Sequence, residues 1–263
     1  MTRQNYYKCR RVRERLSVDE SLVLELVMAE RSRQPQLGGR KLLHLVGPEL
    51  SLAGVEIGRD RFFELLGRHE LLIERARKSG RTTWSGHGFG VYPNLAKDLV
   101  LSGPHQLLVS DITYIRTLEG FMYLCLVMDS FSRAIVGYDC SDSLEMSGAL
   151  RALSLAIRQL PDGSMVVHHS DRGIQYACGP YIEELLKHGI GISMTEENHC
   201  YENAQAERLN GIMKQEYGLG QTLVSKASAL SSVKEAVMLY NHYRPHGKLG
   251  YRKPMEVHGE CAA

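Results

Sequence analysis

The spacing of apolar positions changes near residue 107, and that change divides the chain. Before it, Leu22, Leu26 and Ala29, joined by Val23 and Val27, recur at helical intervals. Ser17-Val18-Asp19-Glu20 ahead of them has the form of a capping box, in which hydroxyl and carboxylate satisfy the first free amides, and predicts a helix start there. Gly38-Gly39 predicts a break and Arg40 to Val46 a second helix. A third begins near Gly58 and carries Arg59, Asp60, Arg61, Phe62, Phe63, Leu65, Leu66 and Arg68. Three short helices with glycine turns, the third bearing arginines, have the plan of a small all-α helix-turn-helix-like module over residues 1–80. A helical bundle with merely solvated arginines has the same pattern.

Residues 81–106 read as a linker. Arg75, Arg77, Lys78 and Arg81 lead into Gly86-His87-Gly88-Phe89-Gly90, followed by Pro93 and Pro104. No strand precedes those glycines and no Gly-Lys-Ser/Thr follows, so a phosphate loop is not indicated. From residue 107 strands alternate with helices. Leu107 to Arg116, Phe121 to Met128 and Ala134 to Asp139 predict three meandering strands, and Leu144 to Leu160 a helix. Met165 to His168 and Ile190 to Met194 predict two more strands around a helix from Tyr181 to His188. Glu202 to Tyr217 and Lys226 to Tyr243 are helical. The pattern predicts an α/β core over 107–225, a mixed five-stranded sheet flanked by helices, completed by a C-terminal helix and tail over 226–263.

Composition narrows the class. With 43% apolar and 24% charged residues in 263, collagen-like, coiled-coil and disordered chains are excluded. The longest apolar run, Phe121 to Met128, is far short of the roughly twenty residues of a membrane helix, so no membrane association is expected. The basic, polar start lacks the apolar stretch of a secretory signal, which makes a cytoplasmic protein the expectation. The six cysteines are scattered without a CxxC pair, arguing against a disulfide framework and a structural zinc. Residues 1–100 carry 18 Lys and Arg against 12 Asp and Glu, while residues 101–263 carry 14 against 18. A basic leading part suits a polyanion and an acidic trailing part suits cations.

Three acids stand out by placement. Asp111 interrupts the apolar first strand, Asp171 lies just beyond the fourth, and Glu207 sits on the late helix. Gathered together, three carboxylates repel, and a divalent cation resolves that cost; carboxylate with water is the ligand set of Mg²⁺. Two such ions about 3.5–4 Å apart serve phosphoryl transfer by activating the attacking oxygen and stabilising the leaving one. Strand-end aspartates are ordinarily turn residues and helix glutamates ordinarily solvated. Asp129 and Asp139 also close strands and compete for the role, and periodicity does not choose among them.

The surrounding motifs are more specific. Asp111-Ile112-Thr113-Tyr114-Ile115 is followed by Met128-Asp129-Ser130-Phe131-Ser132-Arg133 with Ile135-Val136-Gly137, and by His169-Ser170-Asp171-Arg172-Gly173 with Gln175-Tyr176. Asn203-Ala204 with Ala206-Glu207, then Tyr240-Asn241, Arg244-Pro245-His246 and Leu249-Gly250-Tyr251, complete the series, with 35 residues between Asp171 and Glu207. From Asp111 to Tyr251 the chain closely resembles the catalytic domain of bacterial insertion-sequence transposases of the IS-three family, and of retroviral integrases; residues 1–100 resemble the family's leader more weakly.

The resemblance implies an RNase H-like fold in which Asp111, Asp171 and Glu207 are the catalytic and metal-binding triad for two Mg²⁺ ions, Mn²⁺ substituting. It implies DNA cleavage that frees a 3′-hydroxyl at the element end and transfer of that end into target DNA. The partners it implies are terminal inverted repeats and target DNA, further copies of the chain assembled on DNA, and an upstream reading-frame product or frameshift fusion, in a bacterial, nucleoid-associated setting. Ile174 stands where the family often has Ser, and Arg208-Leu209-Asn210 where it often has Ser-Phe-Phe; neither change removes a ligand. Further candidates for DNA contact are Arg59, Arg61, Lys214, Arg244 and Lys248. Lys214 shares a helix face with Asn203 and with Asn210 or Gly211, while Arg244, His246 and Lys248 either touch DNA or cap the last helix. His169 orients a nearby carboxylate or phosphate, or is a satisfied strand-end histidine, the plainer reading. A nuclease that cleaves without joining and a DNA-end-binding subunit without chemistry are the alternatives.

Overall fold

The computed structural model describes residues 3–73, 91–196 and 203–260, without the side chains of Tyr6 and residues 8–18. Arg75, Arg77, Lys78, Arg81, the glycines of 86–90 and Cys200 therefore lie outside the described residues. The chain divides into two compact units, Met1–Ala76 and Arg77–Ala263.

The first unit holds α1 (Arg3–Arg33), α2 (Gly39–Leu52) and α3 (Arg59–Arg68). Val23 and Val27 of α1, Leu42, Val46 and Leu50 of α2, and Phe62, Leu65 and Leu66 of α3 close a single core. Two sequence expectations are corrected here. Helix α1 starts at Arg3, so Ser17 lies inside it; residues 3–16 contain neither proline nor glycine to stop the helix. Helix α2 runs through Gly47-Pro48 to Leu52, because the fourfold spacing of Leu42, Val46 and Leu50 carries the buried stripe past the proline. The interior proline costs about 3 kcal/mol, which burial of Leu50 offsets in part.

In the second unit β1 (Leu107–Thr117), β2 (Gly120–Asp129) and β3 (Ile135–Ser141) form an antiparallel meander, followed by α4 (Met146–Ile157). Strands β4 (Val167–Ser170) and β5 (Gly191–Met194) then join in parallel, giving the order β3-β2-β1-β4-β5. Between them lie a single turn of helix, α5 (Ile174–Ala177), and α6 (Gly179–Lys187); after them come α7 (Ala204–Glu216), α8 (Lys226–His242) and α9 (Pro254–Gly259). The mixed five-stranded sheet flanked by helices is the expected architecture, while α5 and α9 carry no periodic signal long enough to read.

Alternation along the strands feeds two cores. Ile115, Leu124 and Leu126 pack with Leu209 and Met213 of α7 and Val233 and Tyr240 of α8. On the other face Leu108, Val127 and Val136 pack with Ala152 and Leu153 of α4 and Tyr181 and Leu185 of α6. Gly137 is fixed by this second core, because a Cβ there would run into the backbone carbonyl of Ala152. Among the described residues no helix is long and apolar enough to cross a membrane.

Candidate active site

The parallel register of β1 and β4 sets the site. Val109 is the rung partner of His169, and two residues further along each strand come Asp111 and Asp171. Paired parallel strands lie about 4.8 Å apart and side chains repeat every second residue, so both aspartates leave the sheet side by side, on one face. Strand β4 ends at Ser170, so Asp171 lies one residue past the strand.

Asp111 is partly buried. Its Oδ1 accepts from the Ile112 amide at 2.9 Å and its Oδ2 from Asn210 Nδ2 at 2.8 Å. Burial and then the charge of Asp171 push this carboxyl up to about 7, the Glu207 charge adding a smaller push, against the two donated hydrogen bonds. Asp171 Oδ1 accepts from the Gly173 amide at 2.9 Å, and a Cβ on Gly173 would press on that oxygen at 2.9 Å. Glu207 lies exposed in the first turn of α7.

Helix α7 is tied to the sheet around these acids. Asn203 Nδ2 donates to the Ser110 carbonyl at 3.0 Å, Ser130 Oγ donates to Gln205 Oε1 at 2.8 Å, and Ala206 and Leu209 enter the core. On the opposite face, Ser110 Oγ and Tyr181 OH both contact His168 Nε2, at 2.8 and 3.0 Å. Burial first, then the neighbouring His169, drives His168 down to about 3, so this packed base is neutral. His169 is a satisfied strand-end residue, its Nδ1 2.8 Å from Ser193 Oγ.

The competing acids have other employment. Asp129 is fully buried, with Oδ1 accepting from the Ser132 amide and hydroxyl, both at 2.7 Å, and Oδ2 from the His105 amide at 2.8 Å. Asp139 takes a forked pair from Arg151, at 2.7 and 3.0 Å, and a hydrogen bond from Ser141 Oγ. Among the described residues no three His, Cys, Asp or Glu side chains are drawn into a ready-made coordination shell. Asp171 and Glu207 each lie within electrostatic reach of Asp111, a looser arrangement.

Of the expected DNA contacts, Lys214 is half-buried on α7, with burial holding its ammonium below the usual range and the charge of Asp111 opposing that. Lys248 is exposed on a 3₁₀ turn, Gly247–Leu249. On α3, Arg59 meets Asp60 at 2.8 Å and Arg61 meets Glu20 at 3.6 Å. Arg244 is corrected as a DNA contact: its side chain is buried, forks onto Glu216 at 2.7 and 2.8 Å and lies over the Tyr240 ring, while its backbone N–H donates to the Leu239 carbonyl near the end of α8 at 2.9 Å. Sequence reasoning placed Asn203 and Asn210 on the right helix face without their roles. The signal was there: two asparagines seven residues apart, flanking Glu207 at helical spacing.

Residues 102–200 and residues 188–254 both match a family described as Integrase core domain. The chain is 32% identical over 243 residues to the insertion element IS600 uncharacterized 31 kDa protein of Shigella sonnei, spanning 92% of this chain and 88% of that one. It is 32% identical over 200 residues to the transposase InsF for insertion sequence IS3A of Escherichia coli (strain K12), spanning 75% and 69%. Its fold is like that of a simian T-cell lymphotropic virus intasome solved by cryo-electron microscopy with the PP2A regulatory subunit B56 gamma, with a TM-score of 0.50 and 20% identity over 83% of this chain and 73% of that chain.

Proposed function

The chain belongs to the IS3 family of insertion-sequence transposases, and from that premise we propose that Asp111, Asp171 and Glu207 are the acids with which it cuts and joins DNA. The observation that carries the assignment is the crowding of charge at Asp111, whose carboxyl is raised to about 7 by burial and by its acidic neighbours. Brought close, carboxylates oppose one another; the donor set is that of Mg²⁺, with Mn²⁺ as substitute. Asp111, Asp171 and Glu207 would hold two such ions, which would supply activation of the attacking oxygen and neutralisation of charge on the leaving one.

The chain's own residues do the positioning. Asn210 holds one oxygen of Asp111 and the Ile112 amide the other, which fixes the carboxylate. Asn203 and Gln205 fix the entry of α7 and thereby the place of Glu207. Lys214, two turns further on, faces the phosphate backbone of bound DNA. In the first step a water oxygen attacks phosphorus in line and the 3′-oxygen of the element leaves. In the second that 3′-hydroxyl attacks a phosphodiester of target DNA, which gives up its own 3′-oxygen. Residues 1–80 serve recognition of the terminal repeats, and holding two ends together calls for more than one copy of the chain. The test is joining of a labelled 3′-end oligonucleotide into plasmid DNA with Mg²⁺. Asp171→Asn and Glu207→Gln are expected to lose nicking and joining while keeping fold and DNA binding; nicking without joining by the unaltered chain would move the reading to a nuclease.

A further inference from the structure

Arg133, in the turn between β2 and β3, has a left-handed backbone with a φ of 64°. That region suits glycine and strains an arginine. The turn is tight: Arg133 N donates to the Asp129 carbonyl and Asp129 N to the Ala134 carbonyl, both at 2.9 Å. It is also pinned to α8, where Asn241 Oδ1 accepts from Ile135 N at 2.9 Å and Asn241 Nδ2 donates to the Ile135 carbonyl at 2.8 Å. The backbone is thus set without help from the arginine side chain. That side chain is half-buried, and its Nε is cut off from solvent with no acceptor among the described residues. No acid among them pairs with the guanidinium. Asp129, four residues earlier, has both oxygens filled by Ser132 and His105. A second cation lies on the helix joined to this turn. Ser130 Oγ donates to Gln205 Oε1 on α7 at 2.8 Å, and Arg208, three residues beyond Gln205, shares its helix face and is exposed.

A strained backbone and a cation withdrawn from water without an acceptor are both unfavourable, and a bound anion offsets the two together. We infer that Arg133 seats a phosphodiester group of DNA at the β2–β3 turn, with Arg208 adding charge along the same stretch of DNA backbone. This rests on the reading of the chain as a transposase: DNA is the polyanion of that reaction, and Glu207 lies between Gln205 and Arg208 on the helix. Arginine's planar fork suits two phosphate oxygens. The seat is blind to base sequence, because it touches only the backbone.

The test measures binding of a short fluorescent DNA duplex of arbitrary sequence by the full chain carrying Glu207→Gln, across a salt series and well below the thermal midpoint. Arg133→Gly is expected to weaken binding about tenfold and to lower the slope of log affinity against log salt by about 0.9, the value of one phosphate contact. Its thermal midpoint is expected to hold or rise, because glycine relieves the left-handed residue. Arg133→Lys is expected to recover most of the slope, since the charge is kept. An unchanged slope in Arg133→Gly overturns the seat; joined to a loss of self-association, it would place a carboxylate of a second copy on Arg133 instead. A midpoint that falls in Arg133→Gly also overturns it, because packing alone then explains the arginine. Failure of the transposase reading shows separately, as joining that survives Glu207→Gln without the second substitution.

Discussion

Two aspartates, Asp129 fully buried at the end of β2 and Asp111 partly buried within β1, show how differently one side chain is used. At Asp129 both oxygens are filled by donors, from Ser132 twice and from the His105 amide, and the carboxylate is solvated by its own turn. His258 on α9 closes over it, its Nδ1 3.0 Å from Ser132 Oγ. At Asp111 the two donors are outweighed by burial and by two further acids, and the carboxyl rises to about 7. The first arrangement needs nothing from outside and locks the β2–β3 turn. The second gathers acidic neighbours around a carboxyl withdrawn from water, the setting in which a divalent cation lowers the cost.

The sharpest break of that comparison is in activity. Asp171→Asn is expected to lower the rate of strand joining by about a thousandfold, equivalent to roughly 4 kcal/mol of barrier, with the thermal midpoint scarcely moved. Asp129→Ala should do the reverse. It leaves the Ser132 and His105 donors buried without an acceptor, at a cost of about 3 kcal/mol or more in chemical denaturation, and activity falls only as the fold is lost. Next comes Gly137→Ala, whose new methyl meets the Ala152 carbonyl; about 1–3 kcal/mol of destabilisation is expected in the same assay, without any effect on the acids.

The smallest effect is the most telling in sign. The folded chain binds the Asp111 proton more tightly than the unfolded chain does, so this group's contribution to stability is full below about pH 4 and is lost as pH rises toward 7. Asp111→Asn removes that penalty. The variant should melt a few degrees above the parent at pH 8, with the difference fading as pH approaches 4.

Much of the fold was legible because its signals are local. The five strands and α3 follow from alternation and helical spacing, and their ends agree with the structure to within two residues. Where two local signals conflicted, the reading failed. Ser17 to Glu20 spells a helix start, yet nothing ahead of it stops a helix, so α1 begins at Arg3. Pro48 spells a stop, yet the buried stripe of α2 continues past it. The site was legible in part. Asp111 stood out as an acid in an apolar strand, but its place beside Asp171 depends on the β1–β4 register, which pairs residues 60 apart. The separation of Asp129 from Asp111 likewise hangs on donors from His105 and Ser132 that no spacing reveals. Arg244 misled because an arginine after a helix looks exposed until the partner Glu216, 28 residues earlier, is seen.

The most direct measurement of the central claim is the thermal midpoint at pH 8 with and without Mg²⁺, for the parent chain and for Asp111→Asn. The account predicts that Mg²⁺ raises the midpoint of the parent, by satisfying charge that the fold leaves crowded, and leaves the variant unmoved. An equal rise in both, or none in the parent while Asp111→Asn melts no higher, would contradict it.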